Sequence, residues 1–292
     1  MLSYTNLWHR WLQRPFQLAR VVDQGDGPVV VLLHGIGRSS AVWRLLVKAL
    51  AKQPCRVVAY DLLGFGASPK PDWLDYDIDD HATSVIASLK KLNPEGPIVI
   101  VGHSMGCLVA VRVARLRPDL VKQLVLYEMP LYDGLPEKRT YRLRLDLYFK
   151  LFQQITRLQP TFNSETARLV ERLAGRVIGS ELSAATWQPF VKSLEHTIME
   201  QTAAADIKLL QMPMDVIYGS RDMLVIRGKV KQIFGSDSAL ITAHTIRERH
   251  VISVKASRYL VERIRIALQA TPDESGHSRL KDITRALRKN LS

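Results

Sequence analysis

The chain has 292 residues, of which 47% are hydrophobic and 24% are charged. These are ordinary values for a globular protein, so they exclude long disorder and collagen-like repeats, and the length suits one or two domains. No apolar run reaches the roughly 18 residues that a transmembrane helix needs. The N-terminus does not resemble a secretory signal, and the two cysteines, Cys55 and Cys107, cannot form a disulfide framework. We therefore expect a cytoplasmic protein.

The 41 lysine and arginine residues outnumber the 28 acidic residues, which gives a net charge of +13. A charge of this sign attracts nucleic acids and anionic membranes. The basic residues are spread along the whole chain, however, and no nucleic-acid-binding motif accompanies them. We interpret the charge as a basic surface and expect no nucleic-acid partner.

Seven short apolar runs alternate with helical patterns along the chain. The predicted strands are 16–22, 29–34, 56–61, 98–104, 123–128, 214–219 and 239–246. The predicted helices lie near 41–52, 78–92, 105–117, 225–234 and 254–268. Runs such as Val29–Leu33 are apolar at consecutive positions, which is typical of strands buried on both faces of a parallel sheet. The alternation predicts an α/β fold with a doubly wound, mostly parallel sheet.

One long interval, 133–205, contains only helical periodicity. An insertion of this length after a strand lies over the edge of the sheet where ligands bind. We predict that 133–205 is a helical lid and that 1–132 and 206–269 form the core domain. The basic tail, 270–292, has the pattern of an amphipathic helix. For this tail we favour packing on the core or a frayed end over peripheral contact with an anionic membrane.

The strongest local signal is GHSMG at 102–106, a G-x-S-x-G sequence between a predicted strand and a predicted helix. A serine on such a sharp turn holds its hydroxyl clear of the backbone, and the glycines allow strand and helix to approach closely. Ser104 is therefore the candidate nucleophile.

A serine hydroxyl becomes an effective nucleophile when a base takes its proton. Of the eight histidines, His250 stands in a loop after the last predicted strand, at the carboxyl edge of the sheet. A carboxylate must orient this histidine. Asp222 follows the strand 214–219 by a short turn and is the preferred acid, while Glu128, at the end of the strand 123–128, is the alternative.

The negative oxygen that forms during acyl transfer needs preorganised N–H donors. We expect one donor from Met105, which follows the serine, and the other from Ile36 in the glycine-rich HGIG loop at 34–37. The histidines show no H-x-H or H-E-x-x-H spacing and the two cysteines lie far apart in the sequence. We therefore expect neither a metal nor a cofactor.

Five motifs occur in the order that characterises the α/β-hydrolase fold superfamily, which the sequence resembles over about residues 16–268. They are HGIG at 34–37, DLLGFGAS at 61–68, GHSMG at 102–106, GSRD at 219–222 and RHVIS at 249–253. One departure is Arg249, where many members of the superfamily have glycine. The serine at 104 excludes the dehalogenases and epoxide hydrolases of the superfamily, which use an aspartate there.

The resemblance implies a lidded serine hydrolase. It implies Ser104 as nucleophile, His250 as general base and Asp222 as orienting acid. Ile36 and Met105 then form the oxyanion hole. We expect a hydrolase that cleaves small carboxylic esters, including lactones, through an acyl-enzyme intermediate. The alternatives are a carbon–carbon bond hydrolase of the same fold and a non-catalytic ligand receptor that retains the triad.

Overall fold

Seven strands form one sheet in the computed structural model, which describes residues 14–132, 181–222 and 240–270 and the isolated positions 9–12, 150, 163, 165, 224 and 225. The strands are β1 (Arg20–Gln24), β2 (Val29–Leu33), β3 (Arg56–Tyr60), β4 (Ile98–His103), β5 (Val121–Tyr127), β6 (Met214–Gly219) and β7 (Ile241–Ile246). Their order across the sheet is β1-β3-β2-β4-β5-β6-β7. Strand β1 pairs antiparallel with β3, and the other neighbouring strands pair parallel. The predicted mostly parallel sheet is confirmed.

Helices pack on both faces of this sheet. Within 14–132, 181–222 and 240–270, the α-helices are α1 (Arg44–Leu50), α2 (Ile78–Leu92), α3 (Met105–Leu116), α4 (Ala184–Lys192), α5 (Ala203–Lys208) and α6 (Val254–Gln269). A π-helix spans Ser193–Met199 and continues directly from α4. One buried apolar cluster joins the sheet to α2 and α3, and a second joins it to α1 and α6.

Strand β2 shows why the apolar runs are continuous. All five of its residues are buried. Val31 and Leu33 belong to the cluster on one face, and Val30 and Leu32 belong to the cluster on the other. Because successive side chains of a strand point to opposite faces, a strand covered on both sides needs consecutive apolar residues. The doubly wound arrangement is confirmed.

The first strand begins later than the sequence pattern predicts. The predicted strand covers 16–22, whereas β1 spans Arg20–Gln24. The backbone N–H of Leu18 donates to the Ser88 hydroxyl at 2.8 Å instead of to a neighbouring strand. Leu18 is nevertheless buried. The apolar pattern at this end therefore reflects burial of extended chain and not strand pairing.

Much of the predicted lid at 133–205 lies outside the described residues, as do nearly all of the predicted helix at 225–234 and the tail beyond 270. Within the described stretch 181–205, residues 184–199 are helical and α5 begins at Ala203. The function of this segment as a lid stays a prediction. Within the described ranges, no helix is both long enough and apolar enough to cross a membrane.

A buried ionic cluster joins β6 to α6. Asp215 on β6 is 1% exposed and accepts hydrogen bonds from Arg263 of α6 at 2.8 and 3.2 Å. The amide of Gln123 donates to the same carboxylate at 3.1 Å, and His244 Nε2 lies 3.0 Å from it. A buried carboxylate is tolerated when its oxygens are paired in this way. The cluster stands near the amino end of β6, away from the edge that carries Asp222.

Replacing Arg263 with leucine leaves the Asp215 charge buried without its cationic partner. We expect the free energy of unfolding, measured by urea denaturation, to fall by about 3–5 kcal/mol. Arg258→Leu, at an exposed position of the same helix, is the matched control and should change it by less than about 0.5 kcal/mol. Equal losses in the two variants would contradict this interpretation of the cluster.

Candidate active site

Ser104 lies on the turn between β4 and α3. Its backbone has a φ of 53° and a ψ of −123°, and a positive φ is costly for a residue with a side chain. The Ser104 N–H donates to the carbonyl oxygen of Tyr127 at 3.0 Å, which ties the turn to β5. The surrounding chain therefore holds the serine in a strained conformation at the carboxyl edge of the sheet.

Two glycines make this turn possible. A Cβ atom on Gly106 would stand 2.6 Å from the carbonyl oxygen of His34, and one on Gly102 would stand 2.7 Å from that of Gly106. Real Cβ atoms are not found at such distances. Helix α3 can therefore pack directly on the loop after β2 because these positions have no side chains.

His250 and Asp222 form a buried pair. His250 Nδ1 lies 2.7 Å from Asp222 Oδ2, and the two residues are 7% and 8% exposed. The backbone N–H of Leu224 donates to the other oxygen, Oδ1, at 2.7 Å. Burial acts to raise the pKa of Asp222, but its interactions with His250, Glu128 and the Leu224 N–H together outweigh burial and lower this pKa to about 2. An ionised Asp222 requires a proton on Nδ1, which leaves Nε2 as the acceptor.

Ser104 and His250 line the same cavity. Its walls come from the loop after β2, the end of β4 and the turn after it, the chain after β5, the π-helix and the loops after β6 and β7. The wall residues are Gly35, Ile36, Arg38, His103, Ser104, Pro130, Tyr132, Ile198, Leu224 and His250. Within the described part of the chain, no hydrogen bond joins the Ser104 hydroxyl to the His250 ring. Such bonds are often long in ligand-free sites and shorten when substrate binds.

Five of these wall residues are not predicted from the sequence: Arg38, Pro130, Tyr132, Ile198 and Leu224. Pro130 and Tyr132 follow β5 at the carboxyl edge of the sheet, and this position is a signal that could have identified them. Ile198 belongs to the π-helix, and no local pattern marks it as a wall residue. Its position shows that the described end of the 133–205 insertion reaches the cavity.

The two predicted oxyanion donors have free backbone N–H groups. Among the described residues, neither the Ile36 N–H nor the Met105 N–H makes a hydrogen bond. Met105 is the first residue of α3, where N–H groups lack an intrahelical partner. Gly35, next to Ile36, lies so close to the serine that an added Cβ would stand 3.0 Å from Ser104 Cβ. The loop that carries Ile36 therefore passes directly beside Ser104.

His34 holds the loop that carries Ile36. The backbone N–H of Leu62 donates to His34 Nε2 at 2.8 Å, so the ring proton must sit on Nδ1. Nδ1 then donates to the carbonyl oxygen of Gly35 at 2.8 Å. Burial lowers the pKa of His34, which favours the neutral ring that this pattern requires.

Tyr127 and His103 fix the backbone around His250. The Tyr127 hydroxyl lies 3.1 Å from the carbonyl oxygen of Arg249 and 3.2 Å from that of Val251. His103 Nε2 donates to the carbonyl oxygen of His250 at 2.7 Å. Burial lowers the pKa of His103 to about 3, so this ring stays neutral. No motif marks Tyr127, and its contacts with this loop are not predicted from the sequence.

Glu128, the alternative acid, lies beside the His250–Asp222 pair. Ligand atoms of Glu128, Asp222 and His250 all lie within 4.8 Å of one another. The hydrogen bond of His250 nevertheless goes to Asp222. These are also the described residues that could hold a metal ion, but the 2.7 Å separation of Nδ1 and Oδ2 is that of a charge-assisted hydrogen bond. A proton on His250 Nδ1, donated to Asp222 Oδ2, is sufficient to explain this contact.

Comparisons with known proteins agree with this architecture. The family model of the alpha/beta hydrolase fold matches residues 28–217. The 2-hydroxy-6-oxo-6-(2'-aminophenyl)hexa-2,4-dienoic acid hydrolase of Metapseudomonas resinovorans is 38% identical over 110 residues, which cover 37% of this chain and 37% of the relative. A protein named as a probable esterase in Oryza sativa subsp. japonica is 26% identical over 222 residues, 70% of this chain and 78% of the relative.

Solved structures show the same fold. An esterase from Exiguobacterium antarcticum superposes with a TM-score of 0.69 and covers 88% of this chain and 100% of its own. The two sequences are 14% identical, so this likeness concerns the fold alone. The match to the Metapseudomonas enzyme spans little more than a third of that relative.

An alanine at position 106 tests the close approach of α3 to the loop after β2. Its Cβ would collide with the carbonyl oxygens of Leu33 and His34, so we expect the free energy of unfolding to fall by about 1–3 kcal/mol. Gly96→Ala is the control, because a Cβ there meets no atom within 4 Å. Chemical denaturation measures both variants. A Gly106→Ala protein as stable as the Gly96→Ala protein would contradict the packing described for this turn.

Proposed function

This chain belongs to the alpha/beta hydrolase fold family, and we propose that it is a serine hydrolase that cleaves carboxylic esters, including lactones. One observation carries the proposal. A strained serine, with a φ of 53°, lines a cavity together with a histidine that is hydrogen-bonded at 2.7 Å to a buried aspartate. This arrangement suits acyl transfer, because each residue type has a role in that chemistry.

In the proposed mechanism, the Ser104 hydroxyl attacks the substrate carbonyl while His250 Nε2 takes its proton. The charge of Asp222 stabilises the imidazolium that forms. The backbone N–H groups of Ile36 and Met105 stabilise the negative oxygen of the tetrahedral intermediate. The intermediate then expels the alkoxide, which takes the proton from the imidazolium.

The acyl group that remains on Ser104 is removed by water. His250 takes a proton from the water as its oxygen attacks the acyl carbonyl, and it returns this proton to the serine oxygen as the acid leaves. We propose no cofactor for these steps, since each proton transfer uses the same imidazole. We also propose that the insertion at 133–205 covers the cavity as a lid, because Ile198 at its described end forms part of the wall.

A second candidate is hydrolysis of a carbon–carbon bond by the same residues. The relative from Metapseudomonas resinovorans is named for the hydrolysis of a dienoic acid. Arg38 on the cavity wall carries a cationic group that suits a substrate with a carboxylate, and its Nε lies 3.7 Å from Glu181 Oε1, with which such a substrate would compete. The ester and carbon–carbon reactions share the serine, the base and the acid, so substrate comparison must separate them.

Removal of the Ser104 hydroxyl tests the proposal directly. We expect the wild-type protein to hydrolyse chromogenic esters or lactones and the Ser104→Ala variant to lose at least about 10³-fold in kcat, because the nucleophile is absent. Ser257→Ala is the control, since that buried hydroxyl has no hydrogen-bond partner among the described residues. Turnover that survives in Ser104→Ala would contradict the proposal. Stabilisation of the protein by these compounds without turnover would indicate a receptor.

The choice between the two acids has its own test. Asp222→Asn should lower kcat by about 10³–10⁴-fold, because an amide cannot hold the required histidine tautomer. Glu128→Gln should lower kcat far less, since the hydrogen bond of His250 goes to Asp222 and not to Glu128. Asp119→Asn, at a side chain that is 58% exposed, controls for the general effect of removing a carboxylate. A larger loss in Glu128→Gln than in Asp222→Asn would show that Glu128 is the orienting acid.

A further inference from the structure

Glu128 directly follows β5 and stands behind the proposed catalytic pair. Its φ is 54° and its exposed fraction is 0%. Both features are unfavourable, because a non-glycine residue avoids positive φ and a carboxyl group loses its hydration on burial. Two such costs at one residue indicate that its side chain has a function in this place.

The neighbouring chain makes room for this carboxyl group. Gly219, the last residue of β6, has no side chain, and an added Cβ would collide with Glu128 Oε1. The backbone N–H of Glu128 donates to the carbonyl oxygen of Ile217 at 2.9 Å. The side chain is therefore held against β6, and the turn that continues from β6 carries Asp222.

No permanent cation faces the carboxyl group among the described residues. The titratable groups around it are the thiol of Cys107 from α3, the phenols of Tyr127 and Tyr218 from β5 and β6, and Asp222 and His250 from the loops after β6 and β7. In the described part of the chain, no N–H or O–H group donates a hydrogen bond to either Glu128 oxygen. An ionised carboxylate in these surroundings would be buried without a permanent cationic partner.

The pKa values of the two neighbouring carboxyl groups are shifted in opposite directions. Burial, and then the adjacent Asp222 carboxyl, raises the pKa of Glu128 far above its ordinary range. The nearby Gly219 N–H and Tyr127 hydroxyl favour the ionised form but do not offset burial. The pKa of Asp222 is lowered by its contact with His250 and by Glu128. Two adjacent carboxyl groups separate in this way when one keeps a proton and the other keeps the charge.

We propose that Glu128 is a neutral carboxylic acid that donates a hydrogen bond to the Asp222 carboxylate and thereby positions it. The proton stays on Glu128, and no covalent bond forms or breaks. A hydrogen bond given to Asp222 draws negative charge away from its contact with His250. Glu128 therefore limits how strongly the imidazolium is stabilised. This inference rests on the proposed function of Ser104, His250 and Asp222.

Infrared difference spectroscopy tests the protonation state without any need for activity. At neutral pH, the spectrum of the wild-type protein minus that of Glu128→Gln should contain the carbonyl stretch of a protonated carboxylic acid. Glu95→Gln, at an exposed glutamate, is the matched control and should remove carboxylate bands instead. Loss of carboxylate bands in Glu128→Gln would overturn the proposal, because Glu128 would then be ionised.

Covalent labelling of Ser104 by a fluorophosphonate tests the effect on His250. The acid limb is the fall of the labelling rate toward low pH. Glu128→Gln keeps a neutral donor of the same shape, so its acid limb should lie at the same pH as that of the wild-type protein. Glu128→Leu removes the donor, so Asp222 keeps its full charge toward the imidazolium. Its acid limb should therefore move to higher pH, and its labelling rate at neutral pH should fall about tenfold.

The labelling results separate the positioning role from other roles. An acid limb that moves to lower pH in Glu128→Gln would overturn the proposal, because that is the effect of removing a negative charge near His250. A lower rate in Glu128→Leu without a moved acid limb would indicate a merely structural role and would also overturn it. If no form of the protein reacts with the fluorophosphonate, the proposed hydrolase function fails, while the infrared result still decides the charge of Glu128.

Discussion

The direct packing of α3 against the loop after β2 is the constraint on which the site depends. Gly106 allows this contact, because any side chain there would collide with the carbonyl oxygens of Leu33 and His34. The short turn that results holds Ser104 at a φ of 53°. The same contact brings the N–H of Met105, at the start of α3, close to the loop that carries Ile36. One close approach thus positions the serine and both predicted donors.

The parallel sheet brings the other groups to the same edge. Glu128, Asp222 and His250 follow β5, β6 and β7, and the carboxyl ends of parallel strands lie side by side. Buried hydrogen bonds then hold the histidine: its ring contacts Asp222, and its backbone is fixed by His103 and Tyr127. Burial strengthens these electrostatic contacts and, at the same place, makes a second ionised carboxylate unfavourable.

The sequence predicts features that are local or repeated. The consecutive apolar residues of β2 predict a covered strand, and the glycines around Ser104 predict a sharp turn. Contacts between residues distant in the chain are harder to predict. The Asp215–Arg263 pair and the contacts of Tyr127 depend on which strands and helices become neighbours, and no spacing encodes this. The proximity of Glu128 to Asp222 follows from the pairing of β5 with β6, but its protonation depends on burial that a sequence does not display.

A crystal structure of the protein after reaction with a phosphonate ester tests this account most directly, because the adduct mimics the tetrahedral intermediate. We expect phosphorus bonded to Ser104 Oγ and a phosphonyl oxygen within hydrogen-bonding distance of the Ile36 and Met105 N–H groups. We also expect His250 Nε2 to face the leaving-group side. An adduct on another residue, or a phosphonyl oxygen turned away from both N–H groups, would contradict the account.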